Sequence, residues 1–502
     1  MNHLDATDEK GRLADPNFRP AGLVRKALLR VILPAALVSF AAAARADVIT
    51  DVNAQLLNII MNTSPSLIDG PPEVAREIAM VDGAMFDAVN AATGGSSATP
   101  SFYYTGGAVA NASAATAALS AAFTVMNNLF GTGSLYQQLA GVTAANYATT
   151  VASSPSLASI LPATLPAGTA AGMIVGPTTA QYAAVTSDIA AIGAQLAAIA
   201  AGANAAAAGS GTNGTNLGIA AANAMIAGRA GDNGQAAMIS TLAYTPPAGS
   251  GTVPGVYVPP STRPALEPGA GAVPPFVLNP SQQSAIVAAV PGPPAIGSQN
   301  YAMQVLQTEC QGTLGALPAN AVAACQAAGF APQTAAQAQS ALYWNDPGGT
   351  YQPPGHWLLI ADAAANSVGL DLLQHAQEDA LVGAAMSDAG AIAWQVKFDG
   401  NGSGFTGNRW RPITAIQDCS NWNAAIFAAN ACDPNWASLI ATPPHPDYLA
   451  GHPAFSGAAA TVLSNFFDGA IFPLNVTDQA YCNAGTTVRD ANGTLYIIPN
   501  SQ

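Results

Sequence analysis

Long alanine-rich segments, interrupted by Gly, Ser, Thr and Pro, run through much of the chain and constrain its fold more than any other feature. Alanine favours helix but buries little apolar surface per residue. Hydrophobic residues make up 50% of the 502 residues and charged residues only 8%. The helices must therefore approach one another closely to form a core, and we predict an all-α protein.

The stretch EVAREIAMVDGAMFDAVNAA shows the helical pattern clearly. Its larger apolar side chains recur at helical spacing, at Val74, Ile78, Val81, Met85 and Val89. This spacing predicts an amphipathic helix that buries one face.

Composition divides the chain after its leader into three predicted parts. Residues 47–243 form an alanine-rich helical domain, in which residues 107–234 are of low complexity without a clean repeat, so that flexible linker is an alternative for any single segment. Residues 244–280 are rich in Pro and Gly and predict an extended connection. We predict that residues 281–502 form a second helical domain, which contains the candidate site residues.

The N-terminus has the features of an export signal. An apolar run covers residues 31–43, and Ala44-Arg45-Ala46 fits a small-x-small cleavage site. Basic residues precede the run, among them Arg19, Arg25, Lys26 and Arg30. A membrane anchor is the alternative, but the run is short for a span. We predict that residues 1–46 are a signal peptide and that the mature protein is periplasmic or secreted and has no membrane span, because later apolar stretches are rich in alanine and broken by polar residues, Gly or Pro.

The charge of the predicted mature chain is strongly negative. Residues 1–46 hold seven of the 14 Lys and Arg residues but only four of the 28 Asp and Glu residues. Such a surface repels nucleic acid and anionic lipid, so neither is an expected partner. The remaining cations are Arg76, Arg229, Arg263, Lys397, Arg409, Arg411 and Arg489. Three of these seven fall within 15 residues.

The five cysteines lack the paired C-x-x-C spacing of a zinc site. In an oxidising compartment, proximity in sequence favours disulfides between Cys310 and Cys325 and between Cys419 and Cys432, which leaves Cys482 over.

Two of the clustered cations suit an oxyanion. Lys397 ends a predicted helix, and Arg411 follows the glycine-rich loop DGNGSGFTGN. Lysine supplies a compact charge and arginine a bidentate donor fork. A solvated pair of cations is the alternative.

The stretch TPPHPDYLAGHPAFSGAAATVL adds a histidine to this chemistry. Pro453 predicts the start of a helix with His452 at its cap and the Gly451 amide beside it, and Phe455, Ala459, Val462 and Phe466 form its buried stripe. A helix N-terminus favours an anion, and a histidine there can exchange a proton with it. A structural histidine cap is one alternative. A metal site of His445, Asp447 and His452 is another, although these spacings fit no standard zinc pattern.

These residues resemble the motifs of a known family. WQVK (394–397), RWRPITAI and PPHPDYLAGHPAFSGAAA look like the first two signature motifs of the vanadium-dependent haloperoxidases, which share a helical-bundle fold with the type 2 phosphatidic acid phosphatases. YWNDPGGTYQPPGHW, AREIAMVDGAMFDAVNAA and VPPFVL resemble the soluble bacterial branch.

The resemblance implies a role for each matching residue. Lys397 and Arg411 would bind oxygens of vanadate or phosphate, Gly451 would donate its backbone N–H to the same anion, and His452 would be the catalytic acid and base. Trp394 and His445 would flank the halide pocket, where histidine is typical of bromide-oxidising members and phenylalanine of chloride-oxidising ones. We therefore expect a preference for bromide or iodide.

Three departures from the family pattern limit these roles. The loop before Arg411 is longer than usual, and Ala450 stands where many members have serine. The third motif, which supplies an arginine and the histidine that ligates vanadium or becomes phosphorylated, is not found after His452. Three explanations are open: the chain is truncated, it is an inactive relative, or His356 or His375 substitutes for the missing histidine. We favour a truncated chain with an incomplete C-terminal bundle.

Three functions remain as expectations from the sequence. The first is a vanadate-dependent haloperoxidase that uses hydrogen peroxide, halide and a small organic acceptor. The second is an acid phosphatase of the same superfamily, with phosphate in place of vanadate. The third is a non-catalytic exported protein that binds anions or acts at a surface. Without the third motif, the chain would be weak or silent as an enzyme.

Overall fold

The structure is a computed structural model that describes residues 48–95, 97, 99–206, 209–260, 263–418, 433–469, 487–489 and 495–497. The predicted signal peptide lies outside these residues. The described residues belong to one compact unit. The predicted boundaries after residues 243 and 280 stay predictions.

Helices make up nearly all of the regular structure. In chain order they are α1 Val48–Thr63, α2 Pro71–Ala92, α3 Ala114–Phe130, α4 Leu135–Gln138, α5 Tyr147–Ser153, α6 Pro155–Ala158, α7 Thr179–Ala206, α8 Ser210–Arg229, α9 Gly234–Ala243, a 3-10 turn Ala270–Ala272, α10 Pro280–Ala289, α11 Gln299–Gly312, α12 Ala319–Ala328, α13 Ala335–Tyr343, α14 Gln352–Val368, α15 Leu372–Asp399, α16 Pro412–Gln417 and α17 Gly451–Phe466. Two short strands, β1 Thr487–Arg489 and β2 Leu495–Ile497, pair antiparallel. The all-α class is confirmed.

Helix α2 is buried on every side. The predicted apolar face is in the core, from Val74 to Val89, but charged residues such as Glu77, Asp82 and Asp87 are equally buried. The expectation of one solvent-facing side is therefore wrong. The reason is tertiary: α2 packs along α15 and also against α3, α8 and α14, so no face is left for water.

Helices α2 and α15 use the same device to hold an irregular segment. The Asp87 carboxylate of α2 accepts hydrogen bonds from three successive backbone amides, those of residues 102–104. The Asp388 carboxylate of α15 does the same for residues 276–278. A buried carboxylate is stable there because three N–H donors satisfy it. The second contact fixes the end of the Pro/Gly-rich passage against α15.

Small side chains bring the alanine-rich helices together as expected. The facing residues of α3 and α8 include buried Ala117, Ala121, Ala221 and Ala222. The Ser120 hydroxyl of α3 donates to the carbonyl of Thr215 in α8 at 2.9 Å. Close backbone approach thus replaces the large side chains that the sequence lacks.

One described stretch, Thr179–Gly202, is long and apolar enough to cross a membrane by length and composition alone. Buried helices of globular proteins and signal sequences meet the same criterion, so this is weak evidence for a span.

The predicted disulfide between Cys310 and Cys325 joins α11 to α12, with 5.9 Å between the Cα atoms. Cys419, Cys432 and Cys482 lie outside the described residues.

Candidate oxyanion site

Lys397 lies in the last turn of α15, in the protein interior. Its side chain is fully buried, and Nζ donates to the carbonyls of Pro446 at 2.8 Å and Asp447 at 3.1 Å. The ammonium also lies 5.5 Å from the ring centre of Trp394, one turn earlier. Burial, followed by the positive charge of Arg411, holds the pKa of Lys397 well below its usual value. An anion beside this group would favour its charged form.

The long glycine-rich loop closes and returns the chain to Lys397. Gly400 has φ +87°, and a Cβ there would collide with the Phe405 carbonyl, so the turn requires glycine. The Asn401 side chain accepts from the amides of Ser403 and Phe405, and the Asn408 amide donates to the Lys397 carbonyl at 2.6 Å. The extra loop residues are therefore folded into a local hydrogen-bonded turn.

Arg411 directly precedes α16 and faces the segment that contacts Lys397. Its Nη1 lies 3.8 Å from Asp447 Oδ1, which is too long for a hydrogen bond. Its Nε is buried and has no hydrogen-bond partner in the described structure. A guanidinium with an unsatisfied buried N–H is a suitable donor for an oxyanion.

His445 packs on the indole of Trp394, with 5.1 Å between ring centres. Its Nδ1 lies 3.1 Å from the Pro446 carbonyl. Burial, then the charges of Lys397 and Arg411, lowers the pKa of His445 well below its usual value. The imidazole is therefore neutral near pH 7.

Leu266, in the Pro/Gly-rich passage, fixes this arrangement from the other side. Its amide donates to the Pro444 carbonyl at 2.7 Å, and its carbonyl accepts from Trp394 Nε1 at 3.1 Å. The passage from 244 to 280 thus holds both the His445 segment and α15.

Helix α17 begins at Gly451, with Ala450 as its N-cap. The predicted position of His452 at the cap is therefore wrong, because the helix starts two residues before Pro453. Proline is tolerated there since the first-turn N–H groups have no intrahelical acceptor. A Cβ on Gly451 would lie 3.0 Å from the Trp394 ring, so glycine permits this close approach. Of the predicted stripe, Phe455 and Ala459 are fully buried, whereas Val462 and Phe466 are half-buried.

His452 is half-buried, and its Nε2 lies 3.2 Å from the Asn345 carbonyl. Burial lowers its pKa, and the Asp346 carboxylate opposes that shift. Asp346 also contacts a second histidine, because both its oxygens lie 3.2 Å from His356 Nδ1. His356 is fully buried and stacks on Trp344.

A cavity of about 290 Å³ lies in front of the two site histidines. Its wall includes Trp394, His445, Gly451 and His452, together with Asp69, Arg263 and Asp346. Lys397 and Arg411 are not part of this wall, but both lower the pKa values of His445 and His452 and so lie within electrostatic reach. All six predicted site residues therefore lie in one region. Four of them line the cavity, and Lys397 and Arg411 lie outside its wall.

Arg263 and Asp69 were not selected by the sequence reasoning. The Arg263 Nη2 donates to the Ser66 carbonyl at 3.1 Å, while its Nε is buried and has no hydrogen-bond partner among the described residues. Burial raises the pKa of Asp69 to about 7. The scarcity of cations was the available signal for Arg263, which is one of only seven in the predicted mature chain.

The two substitute histidines differ in position. His375 lies 22 residues before Lys397 on the same helix, so it is about 33 Å away along the axis and cannot serve this site. His356 does not line the cavity, but it contacts Asp346, which does. The group of described residues that could hold a metal consists of Asp362, His375 and Asp379. It does not include the alternative set of His445, Asp447 and His452.

Comparisons with known proteins agree with this architecture. Residues 378–494 match the family model described as the VCPO second helical-bundle domain. The fold is similar to a crystal structure described as the first bacterial vanadium-dependent iodoperoxidase, with a TM-score of 0.55, 17% identity, and coverage of 86% of this chain and 82% of that chain. No curated protein sequence matches the chain. The two matches confirm the resemblance to the vanadium haloperoxidase superfamily.

Proposed function

Because the chain has the vanadium haloperoxidase fold and its residues 378–494 match a domain of that superfamily, we propose that it binds vanadate, oxidises halide there with hydrogen peroxide and passes the oxidised halogen to a small organic acceptor. We expect a low rate, because the histidine that ligates vanadium in the family pattern is not found after His452. The observation that carries the proposal is the convergence of buried Lys397, Arg411 and the N-terminus of α17. Four groups are assigned to the oxyanion: Lys397, Arg411, Gly451 and His452.

The residues present fit a tetrahedral oxyanion such as vanadate. Arg411 has a buried Nε without a partner, and Lys397 is a buried cation surrounded by carbonyl acceptors. The Gly451 amide lies in the first turn of α17, where N–H groups have no intrahelical acceptor. Vanadate, when bound, supplies the Lewis-acid centre that activates hydrogen peroxide.

His452 is assigned the proton transfers. Its lowered pKa keeps the ring neutral near pH 7, and Nδ1 is the nitrogen that can accept a proton because Nε2–H donates to the Asn345 carbonyl. Asp346 stabilises the protonated ring. The Asn345 carbonyl fixes the orientation of the imidazole. Asp346 is held in turn by His356, so a substitution at His356 acts on His452 through Asp346.

His445 and Trp394 are assigned to the halide side of the cavity. A neutral imidazole packed on an indole offers a weakly polar wall. We propose that bromide or iodide is preferred to chloride, since these halides are easier to oxidise. Chloride turnover equal to bromide turnover would contradict this preference, and His445→Phe is the variant that tests the residue.

Asp447 competes with the oxyanion for Arg411. The contact is long, at 3.8 Å, and the carboxylate is more exposed than the guanidinium. A doubly or singly charged anion that accepts two N–H bonds from Arg411 replaces it favourably.

Phosphomonoester hydrolysis is the second candidate, because the same cations and helix N-terminus suit phosphate. Export is proposed as well, and the disulfide between Cys310 and Cys325 supports an oxidising compartment. A non-catalytic anion-binding protein remains the third candidate.

Assays of the purified full chain separate the three. Bromination of a β-diketone that requires both vanadate and peroxide supports the haloperoxidase, and phosphate release without peroxide supports the phosphatase. Anion binding with neither activity leaves the third candidate. Arg411→Ala should abolish whichever signal appears. Arg409→Gln is the matched control, because its guanidinium lies in the same loop but contacts Tyr301 and the Pro294 carbonyl instead.

A further inference from the structure

A second group of chemically active side chains lies at the opposite end of α15. It combines residues of four helices: Asn53 of α1, Asp82 of α2, Asp362 of α14, and His375 and Asp379 of α15. None exposes more than 6% of its surface. The proposed oxyanion chemistry uses none of these residues.

The polar atoms of this cluster converge. His375 Nε2 lies 3.0 Å from Asp362 Oδ1 and 3.3 Å from Asp379 Oδ2. The Asn53 Nδ2 lies 3.2 and 3.0 Å from the same two oxygens. The ligand atoms of Asp362, His375 and Asp379 all fall within 4.8 Å of one another. Atoms that each bind one ion at about 2.0–2.2 Å have this spacing.

Asp82 provides a second observation beside the geometry of the cluster. Its side chain is fully buried, and neither carboxylate oxygen has a hydrogen-bond partner in the described structure. The charges that act on it most strongly are those of Asp379, Asp362 and His375, so it lies within electrostatic reach of this cluster. A buried carboxylate without a partner is costly, and Asp379 Oδ1 is unsatisfied as well.

A second group of buried carboxylates has arginine partners. Glu73 of α2 and Asp232, which lies between α8 and α9, are both bridged by Arg76, at 2.9 and 2.6 Å, and Arg229 adds a further ion pair to Asp232. Among the described residues, no Lys or Arg forms an ion pair with Asp82, Asp362 or Asp379. His375 is the basic side chain that contacts Asp362 and Asp379.

We propose that Asp362, His375 and Asp379 bind a divalent first-row transition cation, of the zinc or manganese class, and that the Asp82 carboxylate adds negative charge nearby. Two carboxylates and one imidazole suit these ions, and His375 then binds through a deprotonated Nε2. Asn53 offers its amide oxygen after a turn of the amide group, and that oxygen has no hydrogen-bond partner in the described structure. The ion would join α14 to α15 and lies about 33 Å along α15 from Lys397, so we assign it a role in holding these helices together.

Metal analysis of the full chain tests the site. The protein is stripped with a chelator, supplied with Zn²⁺ or Mn²⁺ alone and desalted. We expect about one equivalent of metal per chain and a higher melting temperature than in the stripped protein. No retained metal and an unchanged melting temperature in the wild-type chain would overturn the proposal, and this readout does not depend on any variant.

Variants then locate the ion. Asp362→Asn and His375→Gln should each lower the retained metal to near zero, and in the Co²⁺ form His375→Gln should remove or shift the visible absorption bands. Glu73→Gln is the control, a buried carboxylate of α2 that is paired with arginine, and it should retain the metal. Equal metal content in Asp362→Asn, His375→Gln and the wild type would place the ion elsewhere and refute the assignment.

Discussion

Helix α15 carries sites of opposite charge at its two ends. Its start holds His375 and Asp379 among buried carboxylates that form no ion pair with a Lys or Arg of the described residues, and its end holds Lys397 beside Arg411. The arrangement follows the helix dipole, since Asp371 caps the start and the cation lies in the last turn. The first end suits a cation and the second an anion.

A chain with few charged residues can still place several of them together in its interior. Only 8% of the residues are charged, yet both ends of α15 concentrate several of them in the interior. Burying charge costs free energy unless a partner balances it. The balance at each end is therefore the feature to perturb, and four changes test it at the oxyanion end.

The largest effect is expected for His452→Ala. Removal of the acid and base should reduce the rate of halide oxidation by about 10²- to 10⁴-fold. Vanadate affinity should change much less, because Lys397, Arg411 and the Gly451 amide remain. Steady-state bromination and vanadate titration measure the two effects separately, and a parallel loss of both would assign His452 to binding instead of proton transfer.

Gly451→Ala should be the next most damaging change. The added Cβ lies 3.0 Å from the Trp394 ring, and relief of such overpacking costs about 1–3 kcal/mol. Gly457→Ala is the matched control on the same helix, since a Cβ added at Gly457 would have no other atom within 4 Å. Alanine should stabilise that exposed helical position. Urea unfolding of both variants should give changes of opposite sign.

His445 should make stability fall in acid. Its pKa in the folded state is lowered by burial and by Lys397, Arg411 and His452, so below about pH 6.5 the unfolded chain binds more protons. The free energy of unfolding therefore decreases as pH falls below that value, by up to about 1.4 kcal/mol per pH unit. The wild type and His445→Phe should therefore differ in acid slope. Identical slopes from pH 7 to 5 would refute the buried neutral state.

Ala450→Ser should have the smallest effect. Ala450 is the N-cap of α17 and offers no side-chain acceptor to the first turn. Serine at this position should stabilise the protein by about 1 kcal/mol. Thermal unfolding measures the gain, and a loss of stability would mean that the backbone at this cap does not accept a capping side chain.

Local patterns in the sequence predicted much of the oxyanion region. Lys397 at the end of a helix and the disulfide between Cys310 and Cys325 depend on neighbours in the sequence, and both appear as expected. The first residue of α17 was missed by two positions, because proline marks the first turn of a helix without fixing its first residue. The roles of the site residues stay predictions.

Tertiary placement explains what the sequence could not predict. Asp82 was assigned to an amphipathic helix, and nothing local indicates that α14 and α15 cover it. Asp362, whose charge acts on Asp82, is 280 residues away in the sequence. Arg263 likewise reaches the cavity only because the Pro/Gly-rich passage crosses in front of α17 and α15. Long-range contacts of this kind have no period or spacing to detect.

Vanadate binding to four chains tests the central claim most directly: the wild type, Lys397→Ala, Arg411→Ala and Arg409→Gln. Each loss of a charge-assisted contact should cost about 1.5–3 kcal/mol, which weakens binding by about 10- to 150-fold. Arg409→Gln should bind like the wild type, because its guanidinium contacts Tyr301. Vanadate affinity that stays unchanged in both Lys397→Ala and Arg411→Ala would show that the two cations do not share an oxyanion site.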